Sequence, residues 1–241
     1  MQINNALHIL EMIKEQRKST TAPVDTMGCN VLARSKNKEI WRFQLLISLI
    51  LSSQTKDEMT AKAMSFLFDG LLKKSEIVDN LYINKTSEDV LCIENIINTS
   101  FQDIAILIRC VGFHNKKAVY IKKTAEKIHS FGKMPDTLEM VCSLPGVGNK
   151  MAFLYLYYGF SKILGISVDT HVHRVFNRIG LVETKTPENT RKKLEKIYDK
   201  ELWKDINKNV VGFGQVVCLP IKPKCKNCCL KNICKSSKYN F

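Results

Sequence analysis

The amino-acid sequence predicts an all-α protein. Three observations carry this: apolar residues recur at i, i+3, i+4 and i+7 through most of the chain, no alternating apolar–polar run is bounded by hairpin signals, and helix-start signatures separate the periodic segments. The 241 residues suffice for one to two domains at about 150 residues each. A composition of 45% apolar and 25% charged residues excludes disorder, collagen-like repeats and a disulfide-dense miniprotein.

In chain order, residues 1–17 read as an amphipathic helix, with Ile3, Leu7, Leu10 and Ile13 set against Glu11 and Glu15. This segment has neither the apolar stretch of a signal peptide nor the acid-free, Arg-rich character of a transit peptide, so secretion is not expected. Helical periodicity follows in residues 41–68, 100–110, 118–131 and 191–203. Asp136-Thr137 behind Pro135, and Thr186-Pro187-Glu188, mark helix starts, the second with Pro in the first turn after a Thr cap. Together these signals predict about ten short helices. Residues 73–98 are polar and weakly patterned and read as an insertion. The longest apolar stretches, 45–51 and 151–158, fall short of the roughly 18–20 residues needed to cross a bilayer, so the protein reads as soluble.

Charge points to a partner. Lysines and arginines number 37 against 23 acids, a net of +14, which favours a polyanion: nucleic acid first and an anionic membrane surface second, both through release of counterions. Residues 114–133 carry six lysines and one acid, Glu126, and residues 206–241 carry seven lysines and no acid. Both runs flank the motifs described next and read as phosphate contacts.

Five of the nine cysteines crowd into residues 218–234, four of them in the spacing C-x6-C-x2-C-x5-C at Cys218, Cys225, Cys228 and Cys234, with Cys229 beside them. In a reducing compartment disulfides are disfavoured, and thiolates this close must share a cation or cluster. The spacing leaves a four-cysteine zinc site and an iron–sulfur cluster both open. Cys29, Cys92, Cys110 and Cys142 stand singly, mostly beside apolar residues, and read as core.

A second motif, Leu144-Pro145-Gly146-Val147-Gly148-Asn149-Lys150, lies between the helical patterns 137–143 and 150–160. Two glycines two apart let the backbone turn sharply and expose amide groups, and the helix behind them opens with unpaired N–H groups at its positive dipole end. That combination is an anion site suited to a DNA phosphate, read by backbone without base specificity. Lys150 stands in the first turn of this helix, where the dipole, together with burial, is expected to depress its pKa and raise the fraction of nucleophilic amine. The alternative is a solvated lysine. Further on, in Val168-Asp169-Thr170-His171-Val172-His173-Arg174, Asp169 reads either as a helix cap or as a carboxylate serving Lys150 as base or charge stabiliser. His171 and His173 are two apart, on different helix faces, and make a poor metal pair; His171 is assigned to the DNA site.

These residues together resemble the endonuclease III DNA glycosylases of the eukaryotic type. The resemblance runs through SLILSSQTKDEMTAKAM at 48–64, residues 111–121, LPGVGNKMA, SVDTHVHRVFNRIGLV, VGFGQ at 211–215 and the terminal cysteine loop, and covers most of the chain from residue 22. It implies an all-helical helix-hairpin-helix fold of two domains flanking a cleft: a six-helix barrel over 36–161 that bears the hairpin, and a second domain of 1–35 plus 162–241 carrying the cluster loop, 218–234. It implies Lys150 as Schiff-base nucleophile, Asp169 as activating carboxylate, and Cys218, Cys225, Cys228 and Cys234 as ligands of a 4Fe-4S cluster, with Cys229 an extra thiol. Gln54 falls at the position that fills the gap left by an extruded base, Phe113 at that of an intercalating wedge, and Leu144, Gly146 and Gly148 in the DNA-binding hairpin. The implied activity is a bifunctional N-glycosylase and abasic-site lyase in base excision repair. The implied partner is double-stranded DNA with oxidised pyrimidines or abasic sites. A monomer is the default expectation, and a nuclear location is expected with mitochondria left open. The departures are Asn149 before the lysine, the added Cys229 and the length of 73–98. Two rivals remain: a monofunctional adenine glycosylase, which normally lacks a lysine at the position of Lys150, and a non-catalytic zinc or iron–sulfur DNA-binding protein.

Overall fold

A computed structural model describes residues 2–78 and 81–237, with side chains from residue 5 onward. Among them all regular structure is helical. The helices in chain order are α1 (Gln2–Lys18), α2 (Pro23–Met27), α3 (Cys29–Leu32), α4 (Lys38–Ser52), α5 (Asp57–Ile77), α6 (Ile93–Asn98), α7 (Phe101–Leu107), α8 (His114–Phe131), α9 (Leu138–Cys142), α10 (Asn149–Phe160), α11 (Thr170–Ile179), α12 (Pro187–Ile197) and α13 (Trp203–Val216). None is long and apolar enough to cross a membrane. The chain divides into two compact units, residues 27–161 and residues 1–26 with 162–241.

In the larger unit α4 is the central element. Its nine consecutive residues from Phe43 to Leu51 are all buried, as a helix that is covered on every side requires, and α3, α5, α8 and α10 pack around it. Residues 27–35, expected with the N-terminal segment, pack here instead. Gln44 Oε1 accepts from the N–H groups of Arg34 (2.7 Å) and Ser35 (3.1 Å), and Ser48 Oγ donates to the Cys29 carbonyl at 3.0 Å. The continuous periodicity of residues 41–68 is two helices, broken between Ser52 and Asp57. Nor is 73–98 a bare insertion. Val90, Leu91 and Ile96 are fully buried, and the buried Asn95 amide accepts from Ile83 N (2.8 Å) and donates to Val90 O (2.8 Å), pinning the strandless turn to the core. The cap at Thr137 is made as the sequence predicts, its side chain accepting from Met140 N at 3.2 Å.

The smaller unit closes α1, α11, α12 and α13 around Phe176, Tyr198, Ile206 and Phe213. Its chain ends are joined by α1, whose buried face is Ala6, Ile9, Leu10 and Ile13, while Leu7 stands 39% exposed. The side chain of Ile3 lies outside the described residues, as does Lys238 of the C-terminal lysine run. Tyr198 Oη donates to the Ala6 carbonyl at 2.9 Å, and the Thr186 hydroxyl caps α12 by accepting from Asn189 N at 3.2 Å.

Arg17, at the end of α1, is buried and donates to Asp25 Oδ2 at 2.5 Å, while Ala22 N donates to the same oxygen at 2.8 Å. Burial works against the Asp25 carboxylate, but the Arg17 guanidinium and the Ala22 N–H outweigh it and hold its pKa below the ordinary value. A carboxyl whose folded pKa is lowered contributes stability above its unfolded pKa, and this is lost as the pH falls through the folded value. Asp25→Asn should therefore cost about 3 kcal/mol at neutral pH by leaving Arg17 buried without its counter-charge. It should also flatten the fall of the melting temperature below about pH 4; a variant as acid-sensitive as the wild type would contradict this.

Candidate functional site

The glycine motif folds as a hairpin between α9 and α10. Leu144 is 2% exposed and plugs the hairpin into the core, so its side chain is packed inside and the hairpin's backbone is what it leaves for DNA, in line with the backbone reading of the sequence. Gly146 has φ +76°, and a Cβ there would lie 2.4 Å from the Tyr120 ring, so both conformation and space demand glycine. Gly148 differs. It is extended, at φ −107°, as the residue that opens α10, and a Cβ added to it would meet nothing within 4 Å. The hairpin thus presents an open backbone edge that continues into the first turn of α10 and its positive dipole end.

Lys150 is the second residue of α10 and is exposed. The dipole expected at this lysine is present; the burial expected with it is not. Asn149 Oδ1 accepts from Cys142 Sγ at 3.4 Å, a contact that bridges the two arms of the hairpin.

Gln54 and Phe113 share a conformation. Both are exposed, Phe113 by 67%, and both hold left-handed backbone, at φ 51° and 57°. Non-glycine residues pay about 1–3 kcal/mol for such conformations and keep them only where the surroundings over-determine the backbone. Those surroundings were missed in the sequence. Lys117, counted there among solvent-facing phosphate contacts, is 3% exposed, and its Nζ donates to Leu51 O (2.7 Å), Ser53 O (2.8 Å) and Thr55 Oγ1 (2.7 Å). It ends α4 and creates the break that periodicity could not show. Lys122 likewise donates to the Ile96, Ile97 and Thr99 carbonyls at the end of α6, and Lys127 to the Ser143 carbonyl at 2.7 Å. Three lysines of the 114–133 run are therefore spent on helix and hairpin carbonyls rather than left for a ligand. The available signal was positional: Lys117 shares the helix face of Ala118, Ile121 and Ala125.

In the smaller unit Asp169 is the N-cap of α11, its Oδ1 accepting from Val172 N at 2.8 Å. The capping role is real and leaves Oδ2 outside that bond. Arg174, one turn on, donates from Nη2 to His171 Nδ1 (3.1 Å), Gly214 O (2.9 Å) and Cys218 O (3.0 Å). His173 faces away, its Nδ1 2.6 Å from Thr190 Oγ1.

None of the nine cysteines is in a disulfide. Cys218, Cys225, Cys228 and Cys234 line one cavity of about 190 Å³ whose lining does not include Cys229. Among the described residues no three His, Cys, Asp or Glu side chains converge on one ion-sized point; the four thiols surround a space instead. Arg178 fastens its rim, donating to Leu219 O (2.6 Å), Pro220 O (2.7 Å) and Cys218 Sγ (3.7 Å). Gln16 of α1 ties the loop to the smaller unit's core, accepting from Cys229 N at 3.0 Å and donating to Asn227 O at 2.6 Å. Burial pushes the Cys218 and Cys234 thiols up, against the pull of Arg178 on Cys218. Lys222, Lys224, Lys226 and Lys231 are exposed on the same loop.

Residues 47–200 match the HhH-GPD superfamily base excision DNA repair protein family. The chain is 45% identical to an endonuclease III homologue of Encephalitozoon cuniculi over 94% of its own length and 92% of that protein. It is 39% identical to an endonuclease III-like protein 1 of Gallus gallus, over 95% and 76%. In fold it resembles the endonuclease III of a solved non-covalent complex with DNA, at a TM-score of 0.77 and 24% identity, covering 97% of this chain and 95% of that one. The chain belongs to the HhH-GPD superfamily, among the endonuclease III homologues, and is a DNA glycosylase of that type.

Proposed function

We propose that the protein removes oxidised pyrimidines from double-stranded DNA and then cuts the strand at the resulting abasic site. The observation that carries this reading is the placement of an exposed lysine, Lys150, in the first turn of the helix behind the open Gly148 edge. A backbone site for phosphate and a candidate nucleophile thus follow one another along the chain. A base within a duplex is out of reach, so the damaged nucleotide is rotated out at a cost of a few kcal/mol, least for lesions that stack poorly. The neutral Lys150 amine attacks the sugar C1′, and the bond from C1′ to the base breaks with its electron pair leaving on the base. Asp169 stabilises the positive charge that develops on the sugar and assists proton movement. The Lys150 nitrogen then gives up a proton, and its lone pair forms the C=N bond as the C1′–O4′ bond breaks and O4′ takes up a proton; the resulting ring-opened iminium acidifies the C2′ proton, whose removal expels the 3′ phosphate by β-elimination.

The four cysteines around the cavity fit a 4Fe-4S cluster: the donors are all thiols, the space exceeds that of a single ion, and Arg178 offers a positive partner to Cys218. When bound, the cluster supplies a cross-link and electrostatic support to the loop that holds Lys222, Lys224, Lys226 and Lys231 for phosphates. Action as a monomer, on nuclear and mitochondrial DNA, belongs to the same reading.

Product analysis on a duplex with one thymine glycol tests it: a strand cut 3′ to the lesion is expected, whereas free base with an uncut strand would mark a monofunctional enzyme. The glycines supply a second test. Gly146→Ala should lower protein stability by about 1–3 kcal/mol. Gly148→Ala should leave the melting temperature unchanged yet weaken DNA binding, because only DNA stands to meet its methyl group. Unchanged affinity of a folded Gly148→Ala protein would remove the hairpin from the interface.

A further inference from the structure

A buried ammonium is costly, and an apolar side chain in its place is often as stable or more so. Lys117 is such a group, on the inner face of α8, with burial pushing its pKa down to about 8 while three acceptors support the charged form. All three of its protons are used. Two acceptors, the Leu51 and Ser53 carbonyls, lie at the negative end of α4; the third, the Thr55 hydroxyl, stands immediately after Gln54. The bonds bracket Gln54 and hold it at φ 51° with its side chain outward. The backbone N–H of the same lysine donates to the Phe113 carbonyl at 2.9 Å, one turn earlier, where Phe113 holds φ 57°. A third tie comes from α8 one turn later, where Tyr120 packs against Gly146. Residues 113, 117 and 120 thus fall on successive turns of one helix and touch the wedge, the gap-filling loop and the hairpin.

We propose that Lys117 is a positioning residue whose side chain locks Gln54 into a rigid probe for extruding the damaged base, on the same helix end that carries Phe113. This rests on the function proposed above and on the parts in base extrusion that the family resemblance implies for Gln54 and Phe113. Lys117 itself stays buried. Its effect is on the step in which the probe enters the base stack, and it matters most where a stacked base must be displaced.

The test uses the full-length protein under single-turnover conditions on two duplexes, one with thymine glycol and one with a preformed abasic site, alongside fluorescence of a 2-aminopurine next to the lesion. Lys117→Met keeps the stem and removes the ammonium. It should slow thymine glycol release by about tenfold to a hundredfold, the scale of a misplaced reacting group, and suppress the fluorescence rise, while cutting of the abasic duplex falls much less. In Gln54→Ala background the added loss from Lys117→Met should shrink, since both act through one probe. Thr55→Val, which removes one acceptor and keeps the ammonium, should move the same ratio in the same direction and covers a Lys117→Met protein that fails to fold. Equal losses on both duplexes, additivity with Gln54→Ala, or no loss would each overturn the proposal. A wild type that cuts neither duplex would instead refute the function on which it rests.

Discussion

Lys150→Ala is expected to lose strand cleavage on a thymine glycol duplex by about 10⁴-fold or more, the scale seen when a covalent nucleophile is removed, with DNA affinity little changed. The separation follows from the hairpin. In the function proposed, phosphate is met by the Gly148 edge and the first turn of α10, whose backbone the substitution leaves in place, and Lys150 is an exposed side chain. Because Lys150 acts as a nucleophile and not as a phosphate contact, the salt slope of binding should stay the same. Comparable losses in affinity and cleavage would recast Lys150 as a phosphate contact and revive the rival account of a protein that binds DNA without acting on it.

Cys225→Ser is expected to have the largest effect on stability. Metal binding is folding free energy where the loop has little else to order it, and residues 218–234 hold one short 3-10 turn, Cys225–Asn227, with few buried apolar side chains beyond Leu230. Loss of a few kcal/mol should lower the melting temperature by about 10 °C in a chain of this size, at about 2–4 °C per kcal/mol. Iron content should fall with it, and DNA binding more than the lyase step. Cys229→Ser, outside the lining of the cavity, should retain iron. A fully folded, tightly binding Cys225→Ser protein without iron would show the cluster to be dispensable, and zinc in place of iron in the wild type would settle the ambiguity of the spacing the other way.

The helical class was legible because apolar period and cap chemistry agree, as at Thr137 and Thr186, whose hydroxyls both cap as read. What escaped the sequence depended on groups far apart in the chain. The end of α4 is made by a lysine more than sixty residues away, so the run 41–68 reads as unbroken. The same interaction inverts the meaning of Lys117, since composition counts a lysine as solvated unless a partner is known. Asn95 and Gln44 hide likewise: buried amides that satisfy distant backbone leave no periodic trace. At the candidate site, Gly146 and Gly148 could be marked as special but not told apart until Tyr120 was seen beside one and open space beside the other. Leu144 shows the reverse limit, a motif residue whose side chain belongs to the core.

Borohydride trapping on the thymine glycol duplex, followed by peptide mapping of the adduct, tests the central claim most directly. The imine chemistry predicts one covalent protein–DNA species in the wild type, with the sugar remnant on the Lys150 Nζ and no such species in Lys150→Ala. An adduct mapped to another lysine, or none from a protein that retains its iron and binds DNA tightly, would contradict the assignment of Lys150 as the nucleophile.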